Sequence, residues 1–384
     1  QTHIPLVCNL KYMPDGFWNT IDAAGDQMVL ADTAGNEVAC ELVGFDKSAK
    51  TGRLWIKVPS VSPDSDTELV LWYGGTTERS LASTSVYSGC YGGAGNYAFA
   101  LHSDGSVADA AGNITPVGTD LTDADGVVGG AYDYNSETSK ISVGTIPVGL
   151  SDLTVLTWMN VTEISEGKMG LFSGRVAPTS ITPMLIWENA NDLSSFMGST
   201  SISANLGRPV FGINRTRLMA ITYDRDDKAI AYMDALASSN GADISAWTED
   251  SMEMTELHIG YYPSAENSSF SGMIDEPRAI IGVALSAEDI ETHYATELTY
   301  NAAAAWDIGE EKNLSNLEKI ISGILTLQGE NYQTSVSATD FKANGSNLYI
   351  TYIDQNGNLK VRNMCTIRNI DGTLPISLSG CSLI

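Results

Sequence analysis

The chain has 384 residues, enough for two or three domains with buried cores. Apolar residues make up 43% and charged residues 18%, and 36 Gly, 16 Tyr and 7 Trp suit many short strands joined by turns. The net charge of −26 disfavours nucleic acid and anionic membrane surfaces, since both recruit Lys and Arg.

Residues 1–75 read as an N-terminal β-sandwich domain. His3-Ile-Pro-Leu-Val-Cys8 is a strand, and Gly25 to Asp32 is another. A turn at Ala34-Gly-Asn36 should fold Glu37 to Phe45 back on it as a hairpin. Arg53 to Val58 and Thr67 to Tyr73 add two strands, with Pro59 and Pro63 between them. The chain opens on Gln1 rather than Met, for which removal of a signal peptide is one expected cause. Residues 76–98, rich in Ser, Thr and Gly, read as a linker.

Residues 99–309 show roughly a dozen evenly spaced strand-like runs, the pattern of two packed antiparallel sheets. Leu153 to Asn160 is a central strand, and Arg217 to Tyr223 pairs with Ala229 to Asp234 around a turn at Asp224 to Asp227. Ser271-Gly-Met-Ile-Asp-Glu-Pro-Arg278 reads as a buried edge of the sandwich. A helix should start at Ser286, with Asp289 completing a capping box. Residues 310–384 form a small α+β unit. It holds a helix with Leu314, Leu317, Ile320, Ile321, Ile324 and Leu325 on one face, then a hairpin of Leu348 to Ile353 with Asn358 to Arg362. So small a unit is expected to dock on a neighbour or to serve assembly. No run of 18 apolar residues is present, so no membrane insertion is expected.

Phe270, Gly272, Ile274-Asp-Glu276, Arg278, Leu285-Ser286, Glu288 and Ile290 resemble the closing motif of laminin-G-like, concanavalin A-like jelly-roll domains. Gly25-Asp26…Asp32, Leu54 to Pro59 and Asp66 to Gly74 resemble a secreted domain that commonly precedes them. The fold class expected is therefore mostly β: two antiparallel β-sandwich domains of jelly-roll type and a small C-terminal α+β unit.

Jelly-roll glycosidases carry a spaced carboxylate pair on one face of a strand. Neither Glu249…Asp250…Glu253 nor Asp275-Glu276 supplies it, because adjacent strand residues point to opposite faces. The protein is therefore expected not to be an enzyme. Some laminin-G-like domains hold Ca²⁺ at a loop rim, so calcium is the one cofactor the resemblance suggests, with Asp109, Asn113 and Asp275 as ligands. The competing reading is that these side chains cap turns. Sugar recognition needs exposed aromatics beside polar groups, and Trp187, Trp247, Tyr261 and Tyr262 are the candidates. Of the five cysteines, Cys8 with Cys40 and Cys365 with Cys381 could form disulfides within their domains, leaving Cys90 odd; buried free thiols are the alternative. By analogy with the family, the protein should be an extracellular recognition or adhesion protein for glycan or a surface protein. It would be displayed on a cell surface or virion, as a homo-oligomer or part of a larger assembly. The alternatives are a structural subunit without its own ligand and, third, a glycosidase.

Overall fold

The computed structural model describes residues 2–61, 67–74, 83–149, 151–163, 169–177, 180–189, 192–196, 203–204, 214–237, 241–245, 253–262, 269–301, 340–344, 347–353 and 359–366. Alternating apolar residues drive its sheets, each strand sending one row of side chains inward. The N-terminal unit holds β1 (Thr2–Asn9), α1 (Asp15–Thr20), β2 (Met28–Asp32), β3 (Cys40–Asp46), β4 (Thr51–Ser60) and β5 (Leu69–Tyr73). It forms a three-stranded sheet, β1-β4-β3, and a two-stranded one, β2-β5. Leu6, Phe17, Trp18, Met28, Leu54 and Ile56 fill its core.

The next strands are β6 (Asn96–Ala100), β7 (Val117–Thr119), β8 (Thr122–Asp125), β9 (Gly130–Tyr134), β10 (Lys140–Pro147), β11 (Leu153–Val161) and β12 (Met169–Ala177). After them come β13 (Ser180–Asn189), β14 (Asp192–Phe196), β15 (Ser203–Ala204), β16 (Thr216–Tyr223), β17 (Lys228–Met233) and β18 (Leu236–Ala237). Next are β19 (Ala242–Asp243), β20 (Glu253–Ile259), β21 (Gly272–Ile281) and helix α2 (Ala287–Leu298). They build a seven-stranded sheet, β15-β14-β13-β12-β20-β10-β7, and a nine-stranded sheet along β18-β17-β16-β11-β21-β9-β8, with β19 on β17 and β6 on β21.

The core between the two sheets takes Val155 and Met159 of β11, Met219 and Ile221 of β16, and Ile274 and Ala279 of β21. Facing them are Ile141 and Val143 of β10 and Leu257 and Ile259 of β20. The alternate residues Leu156, Trp158, Leu218, Ala220 and Ile280 point outward, yet they are also buried. There they meet Val7 and Trp55 of the N-terminal unit and Leu285 and Ile290 around α2. Each such side chain removed from water contributes about 1.5–3 kcal/mol. The outer face of the nine-stranded sheet is thus an interface, covered by the N-terminal unit and α2.

Three expectations need correction. The segment around Ile274-Asp-Glu276 is no sheet edge: β21 is central, flanked by β11 on one side and by β9 and β6 on the other. The hairpin of β2 with β3 does not form as a ladder; β2 pairs with β5 and β3 with β4, leaving an isolated bridge, Ala31 to Glu37. Cys8 and Cys40 are free, buried thiols. Cys8 pairs with Leu54 and Cys40 with Ile56, so they lie on opposite sides of β4. Two inter-strand spacings separate them by roughly 10 Å, beyond the reach of a disulfide. Burial pushes the Cys8 thiol up to about 12 and the Cys40 thiol up to about 11. Both are expected to resist Ellman's reagent in the native protein and to react fully in denaturant; a Cys8–Cys40 crosslink in a non-reducing peptide map would contradict this.

Within the stretch read as a linker, Val86, Tyr87, Cys90 and Tyr97 are buried in the cluster shared by both units. The capping box of α2 forms as expected, with Asp289 N–H donating to Ser286 Oγ. β22 (Asp340–Asn344), β23 (Asn347–Ile353) and β24 (Leu359–Thr366) make a three-stranded sheet in which the expected hairpin pairs Ile350 with Arg362. The helix expected around Leu314 to Leu325 lies outside the described residues, as do Glu249 and Asp250. Among the described residues no helix is long and apolar enough to cross a membrane.

Candidate functional site

Two groups of polar side chains stand out, one buried and one open. The buried group is built on β21. Pro277 interrupts the strand, the pairing with β11 shifts register between Leu156 and Trp158, and Glu276 adopts φ +50°. Such a bulge breaks the alternation of faces. Asp275, Glu276 and Arg278 therefore all reach partners on the outer side, contrary to the expectation that the two acids point apart.

Arg278 makes a two-pronged ion pair with Glu297 of α2, Nη1 to Oε1 2.7 Å and Nη2 to Oε2 2.7 Å. Trp158 Nε1–H donates to the same carboxylate at 2.7 Å, and His293 Nδ1 lies 3.1 Å from it. Burial would raise the Glu297 carboxyl, but Arg278 beside it and the bonds from His293 and Arg278 hold it down at about 2. Asp275 Oδ2 accepts the N–H groups of Val127 and Val128 at 2.7 and 3.0 Å. Burial, and then the nearby Glu276, push its carboxyl well above the ordinary range. Arg53 of β4 donates to the carbonyl of Val128 and pairs with Asp104 at 2.9 Å. Gly129 makes this approach possible: it sits at φ +82°, and a Cβ there would strike the Arg53 guanidinium.

Glu276 holds His102, Nδ1 to Oε2 2.9 Å, and His102 Nε2 in turn lies 3.1 Å from Glu41 Oε2 of β3. Tyr87 Oη donates to Glu41 at 2.8 Å and sits 3.0 Å from His102 Nε2. Trp55 stacks on His102 with centroids 5.2 Å apart, and the Arg278 guanidinium lies over the Trp55 ring at 5.5 Å from its centroid. Asp275, Glu276, Arg278, His293 and Glu297 are buried, while Asp104 and Glu41 at the margin keep some exposure; together they join the N-terminal unit, the sandwich and α2.

The open group lies on the outer face of the seven-stranded sheet. Ser142 of β10 pairs with Val117 of β7 and His258 of β20, and His258 pairs with Ser173 of β12. One row thus crosses four strands, fully buried at Ser173 and partly exposed at Ser142 and His258, while Ile141 and Ile259 point to the core. Ser142 Oγ and His258 Nδ1 are 3.2 Å apart. The chain after β20 folds over this row, and Ser173 Oγ donates to the carbonyl of Tyr261. The half-buried Tyr261 ring is held edge-on against His258 at 5.8 Å, with Lys140 Nζ 4.8 Å from its centroid. Glu256 is exposed on β20 next to this row.

Of the candidate sugar-binding aromatics, Tyr261 belongs to the open group and its neighbour Tyr262 is buried. Trp187 lies on β13, opposite Met169 and Leu193, and Trp247 lies outside the described residues. The candidate calcium ligands Asp109, Asn113 and Asp275 each make hydrogen bonds to backbone groups. Asp109 accepts four backbone N–H groups, from Ala100, Ala111, Asn113 and Ile114, and so shapes its own loop. Asn113 Nδ2 donates to the carbonyl of Tyr97 at 2.7 Å. Among the described residues no group of three or more His, Cys, Asp or Glu is arranged to hold a metal ion. Cys365 falls on β24, and Cys381 lies outside the described residues. Sequence reasoning missed Glu41, Lys140, His102 and Glu297. The signal available was a charged residue inside an apolar strand run, as at Arg53 in Gly-Arg-Leu-Trp or Glu276 before Pro277.

Two stacked antiparallel sheets with β21 central and α2 packed behind it coincide with a sequence match. The profile described as the concanavalin A-like lectin/glucanases superfamily covers residues 135–291. The fold is a concanavalin A-like jelly roll. Among solved structures, this jelly-roll chain is similar to domain 4 of AbnA, a GH43 extracellular arabinanase from Geobacillus stearothermophilus, in complex with arabinotriose. The identity is 17% and the TM-score 0.43, over 52% of this chain and 98% of that one. The botulinum neurotoxin serotype G binding domain is 16% identical with TM-score 0.42, over 52% of this chain and 50% of that one. Trypanosoma rangeli sialidase is 10% identical with TM-score 0.43, over 53% of this chain and 33% of that one. A comparison with curated protein sequences finds no match.

Proposed function

We propose that the protein is a non-catalytic recognition protein working outside the cell, on a cell surface or virion, and that it binds glycan on the outer face of the seven-stranded sheet. The observation that carries this reading is the placement of Tyr261, whose ring meets Lys140 and His258, with Ser142 Oγ hydrogen-bonded to that imidazole. An aromatic ring already fixed beside polar groups loses little conformational freedom when a sugar arrives. The outer face of the opposite sheet is used up by Trp55, Leu285 and Ile290. The motif carboxylates Asp275 and Glu276 are wholly buried. That favours binding over hydrolysis, since an acid pair must flank a substrate to cleave it.

The test is a glycan array followed by calorimetry on the full chain, with and without EDTA. Wild type should bind a subset of glycans and release no reducing sugar from them. Tyr261→Ala should weaken that binding by about 1–2 kcal/mol, roughly 5- to 30-fold in Kd, with the fold intact by circular dichroism. EDTA should leave Kd unchanged, because Asp109 already serves four backbone amides. An array silent in both conditions, or hydrolysis of a bound glycan, would overturn the reading.

A further inference from the structure

We propose that Glu41, His102, Glu276 and Tyr87 form a proton-operated latch that ties the N-terminal unit to the jelly roll while His102 is cationic and lets go of Glu41 when it is neutral. The argument starts from the two ring nitrogens. Each faces a carboxylate, Nδ1 that of Glu276 at 2.9 Å and Nε2 that of Glu41 at 3.1 Å. Only the imidazolium can donate to both. A neutral ring has one N–H and one lone pair, so one carboxylate then faces a lone pair. The Glu276 side chain is fully buried whereas that of Glu41 is 12% exposed, so Glu276 keeps the donor and Glu41 loses it.

Tyr87 sharpens the change. Its hydroxyl lies within hydrogen-bond reach of both Glu41 Oε2 and His102 Nε2, at 2.8 and 3.0 Å. While Nε2 carries a proton, Tyr87 donates to Glu41, which then holds two donors. Once Nε2 is a lone pair, Glu41 loses that donor, and the Tyr87 O–H is shared between the Glu41 carboxylate and the bare ring nitrogen. Glu41 sits on β3 of the N-terminal unit, whereas His102, Glu276 and Tyr87 lie on the jelly-roll side of the joint.

The charged groups around this cluster are paired among themselves: Arg53 with Asp104, Arg278 with Glu297, and Asp275 with two backbone amides. Tyr87, Tyr97 and Tyr300 also face it, and burial pushes all three phenols up, Tyr300 to about 12, so they stay neutral while His102 titrates. Burial alone would lower the His102 pKa; the charges and hydrogen bonds of Glu276 and Glu41 outweigh it and raise it to about 9. The folded value lies above the unfolded 6.5, so the tie is fully present below about pH 6.5 and is lost as pH rises through about 9. The latch therefore opens on the alkaline side.

The experiment uses hydrogen exchange by mass spectrometry on the full chain from pH 7 to 10, corrected for intrinsic exchange, together with NMR titration of the imidazoles. In wild type, protection of β3 and β4 amides should fall at least about tenfold between pH 7.5 and 9.5, while β11 and β16 keep theirs. In His102→Gln the β3 and β4 amides should be poorly protected already at pH 7 and should not change further. Glu41→Gln keeps the shape and removes the charge; it should lower the His102 pKa by at least one unit, which decides the matter even if His102→Gln fails to fold. Equal loss of protection in both units, a pH profile in His102→Gln identical to wild type, or a His102 pKa near 6.5 would overturn the proposal.

Discussion

Glu297→Ala is expected to destabilise the protein by about 3–5 kcal/mol, measured by urea unfolding at pH 7. The change leaves the Arg278 guanidinium buried without its two-pronged partner and removes the acceptor of Trp158 Nε1–H and the neighbour of His293 Nδ1. An uncompensated buried charge is the costly part, rather than the loss of a contact. Glu297→Gln keeps the volume and still loses the charge, so it should cost nearly as much. The same carboxylate sets an acid limit. Its folded pKa, about 2, is below the ordinary 4.5, so its contribution is complete above about pH 4.5 and disappears as pH falls towards 2. That contribution is on the order of 3 kcal/mol and should be absent from the pH profile of Glu297→Gln. A cost under about 1 kcal/mol for Glu297→Ala would mean that solvent reaches Arg278 and that the buried network is mispositioned.

Trp55→Ala is expected to cost about 3–5 kcal/mol as well, for a different reason. Trp55 is wholly buried, stacks on His102 and lies beneath Arg278. Truncation leaves a cavity at the junction of β4, β21 and the residues after β6, and few neighbours can collapse into it because their side chains are tied by ion pairs. Because Trp55 and His102 touch, their substitutions should not add. A double-mutant cycle of Trp55→Ala with His102→Gln should give a coupling of at least about 0.5 kcal/mol. Additive costs would show that the stack does not contribute.

Local features were legible in the chain. The Ser286/Asp289 capping box depends on residues three apart, and it forms. β11 was legible as a central strand, and the two strands expected to form the C-terminal hairpin do pair, Ile353 with Leu359. Tyr261 and Tyr262 are adjacent, so strand parity sends one ring inward and one outward, and Tyr262 is the buried one. The network behind β21 was not legible. Parity places Asp275 and Glu276 on opposite faces, and the bulge that overrules it depends on how β11 pairs across the sheet. His102 is one of four histidines scattered along the chain, and its partners Glu41 and Glu276 lie 61 and 174 residues away, beyond the reach of any local pattern.

The sequence by itself determined the strand-rich class and the α2 cap, because these depend on neighbours within a few residues. Only the tertiary structure decided which strands pair, as with β2 choosing β5 over β3 and β4 separating Cys8 from Cys40. It also decided which carboxylates are enclosed and which polar row stays partly exposed. Those outcomes depend on the desolvation of one segment by another far along the chain, and local pattern carries no trace of that.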